Sequence, residues 1–394
     1  MRCKLGNIIK INQYTYTSHD QWKYVNYLDT GNITKNVIDT VQYINLSKEV
    51  LPSRARRKVK KNSILYSMVR PNQSHYGIVK DNIDNFLVST GFAVIDVDTN
   101  KTCPAFIYYM LTQQKMTEHL QAIAEQSVSA YPSIKPSDIE NLDIILPGLL
   151  QQQKIAKLLG ALDDKIELNR QINTNLEQQV LAFYHHMFID NKNINRQKCK
   201  MDDYFNISIG KTPPRQETQW FKVHSNDITW VSISDMAKCG LYINKSSEQL
   251  TKEAIQKFNI PVVPDNTLLL SFKLTIGRIA ITNGSLVTNE AIAHFKTDHK
   301  IINEYLYCYL KLFDYYKMGN TSSIAVALNS RLIKEMPFII PEVHELQKFH
   351  DYARCRFQYI KVATDEIARL SALRDTLLPK LMSGEIDVSK IELI

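Results

Sequence analysis

Several places in this sequence hold residue types that could run a reaction. Gly210-Lys211-Thr212 ends as a phosphate-binding loop ends, but the earlier glycine of such a loop is replaced by Phe205. Pro213 and Pro214 also forbid the helix whose N-terminus would hold the phosphate. Pro264-Asp265 followed by Ser271-Phe272-Lys273 has the outline of a metal-dependent nuclease core, yet Ser271 stands where a second carboxylate must help hold the metal. Asp163 and Asp164 could work as an acid–base pair only if they faced each other, which neighbours on a helix do not. They are expected on an exposed polar face. His185-His186 has no third ligand at helical spacing and is expected at the surface. There is no Gly-rich dinucleotide loop, and no Asn-Pro-Pro-Tyr or Asp-Pro-Pro-Tyr tetrapeptide of the kind adenine methyltransferases carry. No credible active site emerges.

Residues suited to binding a polyanion are easier to find. The net charge is +8, and all of the excess lies in two large segments, 1–147 and 191–341, while 148–190 and 342–394 are slightly acidic. Basic excess is the electrostatic footprint of a nucleic-acid partner. In the first segment Arg54, Arg56, Arg57, Lys58, Lys60 and Lys61 precede a strand-like run that ends in a loop containing Arg70, Asn72, Gln73, His75 and Tyr76. Lys and Arg can hold phosphates, while Arg reads guanine and Asn or Gln reads adenine through paired hydrogen bonds. A solvated charge run beside a polar turn would look the same. The corresponding text in the second segment is Lys273, Thr275 and Arg278, with Lys211 and Arg215 in a Gly-Lys-Thr-Pro-Pro-Arg turn. The two loops differ, so if both read sequence they should read different sequences.

These loops are carried by a chain that reads the same way twice. Ile134, Ile139, Leu142, Ile144, Ile145 and Pro147 are spaced as Leu328, Ile333, Met336, Phe338, Ile339 and Pro341 are, and Gln153-Lys154 and Gln347-Lys348 follow at the same distance. Leu5 matches Met201, Val25 matches Val231, Asn62-Ser-Ile-Leu65 matches Asn266-Thr-Leu-Leu269, and Val88-Ser89 matches Val287-Thr288, all in one chain order. So long a period marks a duplicated domain. Strands are expected near 5–11, 22–28 and 64–69, and again near 201–207, 228–233 and 268–272. Helices are expected at 104–125 and 303–316, and the fold class is α+β.

After each unit the apolar period lengthens to a heptad seam. Ile155, Leu159, Leu162, Ile166, Asn169, Asn173, Leu176, Val180, Phe183 and Met187 step alternately by four and three. Leu346, Phe349, Ala353, Arg356, Ile360, Ala363, Ile367, Leu370, Arg374, Leu377 and Leu381 do so again. Such narrow seams suit two long helices paired antiparallel, with Asn169, Asn173, Arg356 and Arg374 as polar breaks that fix register. The expected organisation is therefore a basic unit (1–147), a central helix (148–190), a second basic unit (191–341) and a distal helix (342–394), the helices acting as a spacer.

The six cysteines form no Cys-x-x-Cys pair, which suits a reducing cytosol and argues against zinc. No apolar run approaches about 18 residues and no signal-peptide grammar opens the chain, so a cytoplasmic protein without a membrane partner is expected. The residues alone leave two rival readings: a nuclease acting by itself, and a coiled-coil scaffold that does not bind DNA.

The stretch from Leu146-Pro147 through Gln151-Gln-Gln-Lys154 and Leu162-Asp-Asp-Lys165 to Asn169 resembles the central region of the specificity (S, HsdS) subunits of type I restriction-modification systems. Leu373-Arg-Asp-Thr-Leu-Leu-Pro-Lys-Leu-Met-Ser-Gly-Glu385 resembles their distal region, and Ile209-Gly-Lys-Thr-Pro213 with Ile228-Thr-Trp-Val-Ser232 the opening of many of their target recognition domains. The likeness spans essentially the whole chain. It implies a non-catalytic subunit in which two target recognition domains, in a pseudo-two-fold circular arrangement, are separated by the paired helices. Each domain would read one half of a bipartite, asymmetric site in double-stranded DNA. The helices would dock two methyltransferase (M) subunits that use S-adenosylmethionine to methylate adenine, and restriction (R) subunits would add cleavage driven by ATP with Mg2+. This chain itself would carry no cofactor and no metal. Residues 9–20 lack the Gly-x-Thr-Pro turn of the second unit, so the two domains are expected to belong to different recognition classes.

Overall fold

A computed structural model of the chain describes residues 2–127, 131–190, 196–221, 227–318 and 328–389. The 190/191 boundary expected from sequence falls against residues outside that set. The chain forms two compact units, Met1–Lys165 with Leu370–Ile394, and Ile166–Arg369.

In the first unit Arg2–Lys4 pairs antiparallel with the Pro-marked exit strand Asp143–Ile145. A four-stranded antiparallel sheet follows in the order Ile9–Ile11, Phe92–Val97, Ile64–Ser67 and Tyr76–Ile78. A second sheet runs Gln42–Asn45, Tyr24–Leu28, Phe86–Ser89 and Ala55–Lys58, with its two middle strands parallel. The second unit repeats this plan. Lys198–Lys200 pairs with Pro337–Ile339, and Asn206–Ile209, Ile292–Lys296, Leu268–Ser271 and Ile279–Thr282 form the antiparallel sheet, extended by Tyr242–Ile243. Glu248–Leu250, Ile228–Val231 and Val287–Thr288 form the other, again with a parallel pair.

The sequence matches have physical counterparts. Leu5 and Met201 are both fully buried, and their amides donate to Leu142 O and Met336 O, each at 2.9 Å. Asn62 and Asn266 both take positive φ, at 68° and 55°, a conformation Asn tolerates better than most residues. Helices Pro104–Leu111 and Gln114–Glu125 in the first unit, and Asn303–Lys311 in the second, close the cores.

Three of the strand boundaries that differ from the sequence expectation have a visible local setting. The run 5–11 is interrupted by a 3-10 turn at Leu5–Asn7, and 201–207 opens with the helical turn Met201–Tyr204. In both places the first amide of the run, that of Leu5 or Met201, makes the next rung of the pairing with the exit strand, and the chain then turns. The strand Ile228–Val231 stops early because Ser232 caps the helix Ile233–Lys238, its hydroxyl and Asp235 bonding each other's backbone amides.

The central helix spans Leu149–Tyr184 and ends in a π-helical turn, His185–Ile189; the distal helix spans Val343–Ser383. Within the second unit the side-chain contacts Asn169–Glu366, Asn173–Thr364 and Gln179–Arg356 descend along one helix as they climb the other, so the pair is antiparallel. Within the first unit Asp163 meets Arg374 at 2.8 Å, and Lys154 reaches Val388 O and Ser389 O just past the helix end. Ile155, Leu159, Ile166, Asn169 and Ile360 are buried, while Leu162, Asn173, Leu176, Ile367 and Leu370 are half-buried.

The seam shifts at one end. Tyr184 and Phe188 are the buried residues there, rather than Phe183 and Met187, and Phe357 rather than Arg356. A straight α-helix drifts against a 3.5-residue period, and the π turn adds to the rotation. Arg356 instead lies over the Tyr352 ring at 3.5 Å. Among the described residues no helix is long and apolar enough to cross a membrane.

Candidate nucleic-acid interface

The loops that follow Ser67 and Ser271 occupy equivalent places. Met68 N donates to Gly91 O at 2.9 Å, and Phe272 N to Ala291 O at 3.0 Å. Ser67 N bonds His75 O and Ser271 N bonds Arg278 O, so each loop leaves and re-enters its sheet at a matching rung. Both serine hydroxyls turn into the loop: Ser67 Oγ donates to Val69 O at 2.9 Å and Ser271 Oγ to Thr275 O at 2.6 Å.

In the second unit the sequence-predicted residues gather. Lys273 and Thr275 are exposed at the loop tip. Glu290 marks the common ground: burial works against its charge, but the Thr212 hydroxyl and the nearby Lys273 and Arg215 hold its carboxyl below the ordinary value. Arg215 is committed within the protein, its Nη1 donating to both Glu248 oxygens at 2.8 and 2.9 Å while its plane rests 4.4 Å from the Trp230 ring. Lys211 follows Gly210, where any Cβ would stand 2.1 Å from Thr288 Oγ1 and 2.3 Å from Thr288 O; only glycine lets the turn pass. Arg278 is half-buried and donates from Nη1 to Ile233 O at 2.8 Å, so it braces the loop.

The first unit does not bring its residues together. Arg54 lies beside the Ser89–Phe92 turn, its carbonyl accepting from Thr90 N, and that turn in turn accepts Met68 N at the root of the 68–75 loop. Lys60 and Lys61 lie past the other end of the strand Ala55–Lys58, where Lys60 pairs with Asp96 at 3.7 Å. Between them the side chains alternate across the sheet: Arg56 is exposed, Arg57 is half-buried against Thr15, and Lys58 is paired with Asp20 over the Trp22 ring. The six basic side chains of 54–61 thus meet different surroundings, with Arg54, Arg56, Lys60 and Lys61 exposed and Arg57 and Lys58 half-buried.

In the loop, Arg70, Asn72 and Gln73 are exposed, Arg70 at φ 48° with its guanidinium 4.9 Å from the Tyr131 ring. His75 is half-buried, its Nδ1 2.6 Å from Ile33 O. Tyr76 is a core residue, 7% exposed and stacked on Tyr66, and is withdrawn from any surface.

Sequence reasoning missed three features. Asp163 is not on an exposed polar face; it accepts from Tyr109 OH at 2.6 Å and from Arg374. In the second unit Tyr307 OH donates to Glu177 at 2.6 Å, the same device on the same helix. The repeat of Tyr109 and Tyr307 was the available signal. The third is Leu274, 99% exposed at φ 61° in the middle of the second loop. Left-handed backbone costs a non-glycine residue about 1–2 kcal/mol.

The family model described as the type I restriction modification DNA specificity domain matches residues 2–178 and again 193–351. The HindI specificity subunit of Haemophilus influenzae is 25% identical, over 91% of this chain and 94% of that protein. The MjaIX specificity subunit of Methanocaldococcus jannaschii is also 25% identical, over 73% of this chain and 70% of that one. Among solved structures, the type I restriction-modification S subunit of M. genitalium shares the fold with a TM-score of 0.54 at 16% identity, over 97% of this chain and 95% of that chain. Two copies of one domain in a single polypeptide, each built on the same two-sheet plan, agree with that double match. The chain belongs to the type I restriction-modification DNA specificity family, and its part in such a system is recognition, not catalysis.

Proposed function

We propose that this chain is the subunit that gives a type I methyltransferase and restriction complex its DNA sequence, each unit reading one half of a bipartite, asymmetric duplex site. The observation that carries the reading is the pair of serine-braced loops at equivalent sheet junctions, 68–75 and 272–278, with unlike side chains. A fixed frame with variable tips suits two related domains that read different half-sites. In the second unit Lys211 and Lys273 would hold phosphates while Thr275 and its neighbours meet base edges. In the first, Arg54, Arg56 and Arg70 would hold the duplex and Asn72 and Gln73 would read it. The paired helices would set the unread gap. Their outward faces would receive two M subunits, for which the second unit leaves Leu168, Tyr359 and Val362 exposed on the helix surfaces. The M subunits would bring S-adenosylmethionine for adenine methylation and the R subunits ATP with Mg2+; this chain holds neither and works in the cytoplasm.

The test is a methylome. The chain is co-expressed with its cognate M subunit in a methylation-free host, and modified adenines are mapped by single-molecule sequencing. A split motif that vanishes without this chain is the expected result. A co-purifying complex that leaves no motif would refute the reading.

A further inference from the structure

Leu274 has no structural reason to be where it is. Its side chain touches nothing in its own domain, being 99% exposed, and its φ of 61° lies in a region that leucine avoids. Thr275 N donates to Lys273 O at 2.7 Å across it, so residues 273–275 close a γ-turn of the strained, positive-φ kind. The surrounding loop holds that turn rigid. Phe272 is fully buried at its root, Ser271 Oγ bonds Thr275 O and accepts from Arg278 N at 3.1 Å, Gly277 N bonds Ser271 O, and the Arg278 side chain ties the far limb to Ile233 O. The frame thus spends several polar contacts on presenting one bare apolar group, with Lys273 exposed beside it. Strain held in place by its surroundings is a mark of a ligand-facing position.

We propose that Leu274 is a specificity-determining residue that seats against the C5-methyl group of a thymine in the major groove, with Lys273 on the adjacent phosphate. The inference rests on the reading of this chain as a DNA specificity subunit. Apolar contact is the means by which a side chain without hydrogen-bonding groups distinguishes an A·T pair by its methyl. The held γ-turn supplies the pre-organisation that a single-methyl contact needs, since a mobile leucine would lose in ordering what it gains in contact.

The experiment uses the complex of the full chain with its M subunit and the duplex that its methylome defines. Each thymine of the site is replaced in turn by deoxyuridine, which removes only the methyl. One replacement, in one half-site, should weaken binding by the wild-type complex about fourfold, the worth of one buried methyl group. The Leu274→Ala complex should bind the unmodified site more weakly and show no further loss with that deoxyuridine, and its methylome should become degenerate at that position alone. Because Leu274 packs on nothing, the variant should keep its unfolding midpoint. A loss from Leu274→Ala with no deoxyuridine-sensitive thymine would overturn the methyl contact, as would a variant that binds like wild type or a half-site without an A·T pair. Absence of any split motif with the wild-type chain would instead remove the underlying reading.

Discussion

Asn169 on the central helix donates its side-chain amide to Glu366 on the distal helix at 2.8 Å, with only 1% of its own surface exposed. One turn further on, Asn173 reaches Thr364 Oγ1 at 3.4 Å, but its carbonyl oxygen is buried without a hydrogen-bond partner. Two asparagines that look alike in the seam are therefore opposite in energetic sign. Asn169→Ala should lower stability by about 1.5–3 kcal/mol, the net worth of a hydrogen bond to a charged group. Asn173→Leu should raise it by about 1 kcal/mol, because an unpaired buried carbonyl is removed. Urea unfolding of the full chain reads both, and midpoints shifted in the same direction would contradict the assignment.

His294 makes the stability depend on acid. It is fully buried, its Nδ1 3.0 Å from Ser208 Oγ and its Nε2 2.7 Å from Thr288 Oγ1. Burial, aided by Lys296, pushes the imidazole from its ordinary 6.5 down to about 3. The folded chain therefore keeps it neutral while the unfolded chain takes up a proton below 6.5. Stability is unaffected by this group above that pH and falls as pH drops from 6.5 towards 3. Between pH 7 and pH 5 the loss should be about 2 kcal/mol. His294→Gln keeps hydrogen-bonding groups without the titration, so its stability relative to wild type should improve by about that amount over the same interval.

What was legible in the sequence depended on spacing, and what was not depended on tertiary partners. The duplication, the α+β class and the paired helices rest on apolar periods that the folded chain must bury, so Pro147 and Pro341, or Leu5 and Met201, were sufficient to find them. The interface rests on which polar groups are already taken. Nothing in the text distinguishes Lys58, paired with Asp20, from Lys61, which is exposed. Tyr76 reads as a loop aromatic until Tyr66 and Tyr108 are seen to enclose it. Asp163 reads as surface until Tyr109 and Arg374 are found on either side of it. Leu274 falls within the loop the sequence marks between Lys273 and Arg278, but only the backbone reveals the turn that exposes it.

The same distinction separates the lysines in binding. Lys273 is exposed at the tip of the second loop, whereas Lys58 is spent on Asp20 and Trp22. If Lys273 neutralises a phosphate, Lys273→Ala should weaken binding to every duplex and lower the slope of log affinity against log salt by about 0.9. Lys58→Ala should leave that slope unchanged and cost stability instead. A salt titration of both variants on a specific and a scrambled duplex measures the difference, and equal slopes would remove Lys273 from the phosphate contacts.

The paired helices make a prediction in units of DNA. Each residue of an α-helix adds about 1.5 Å, so removing four from the central helix and four from the stretch of the distal helix facing it shortens the pair by about 6 Å. With base pairs spaced by about 3.4 Å, the unread gap should contract by roughly two. Four residues also turn the helix by about 400°, a net rotation of about 40°, against about 70° for two base pairs of B-form duplex, a difference of about 30° that a small twist of the duplex can take up while neither recognition unit is altered. Both half-sites should therefore survive with their sequences intact and only the gap changed. The deletion must fall on facing residues: removing one helix's four alone would slide Asn169 past Glu366 and break the seam, and no methylation should result. A paired deletion that leaves the gap at its wild-type length would show that the helices do not set it.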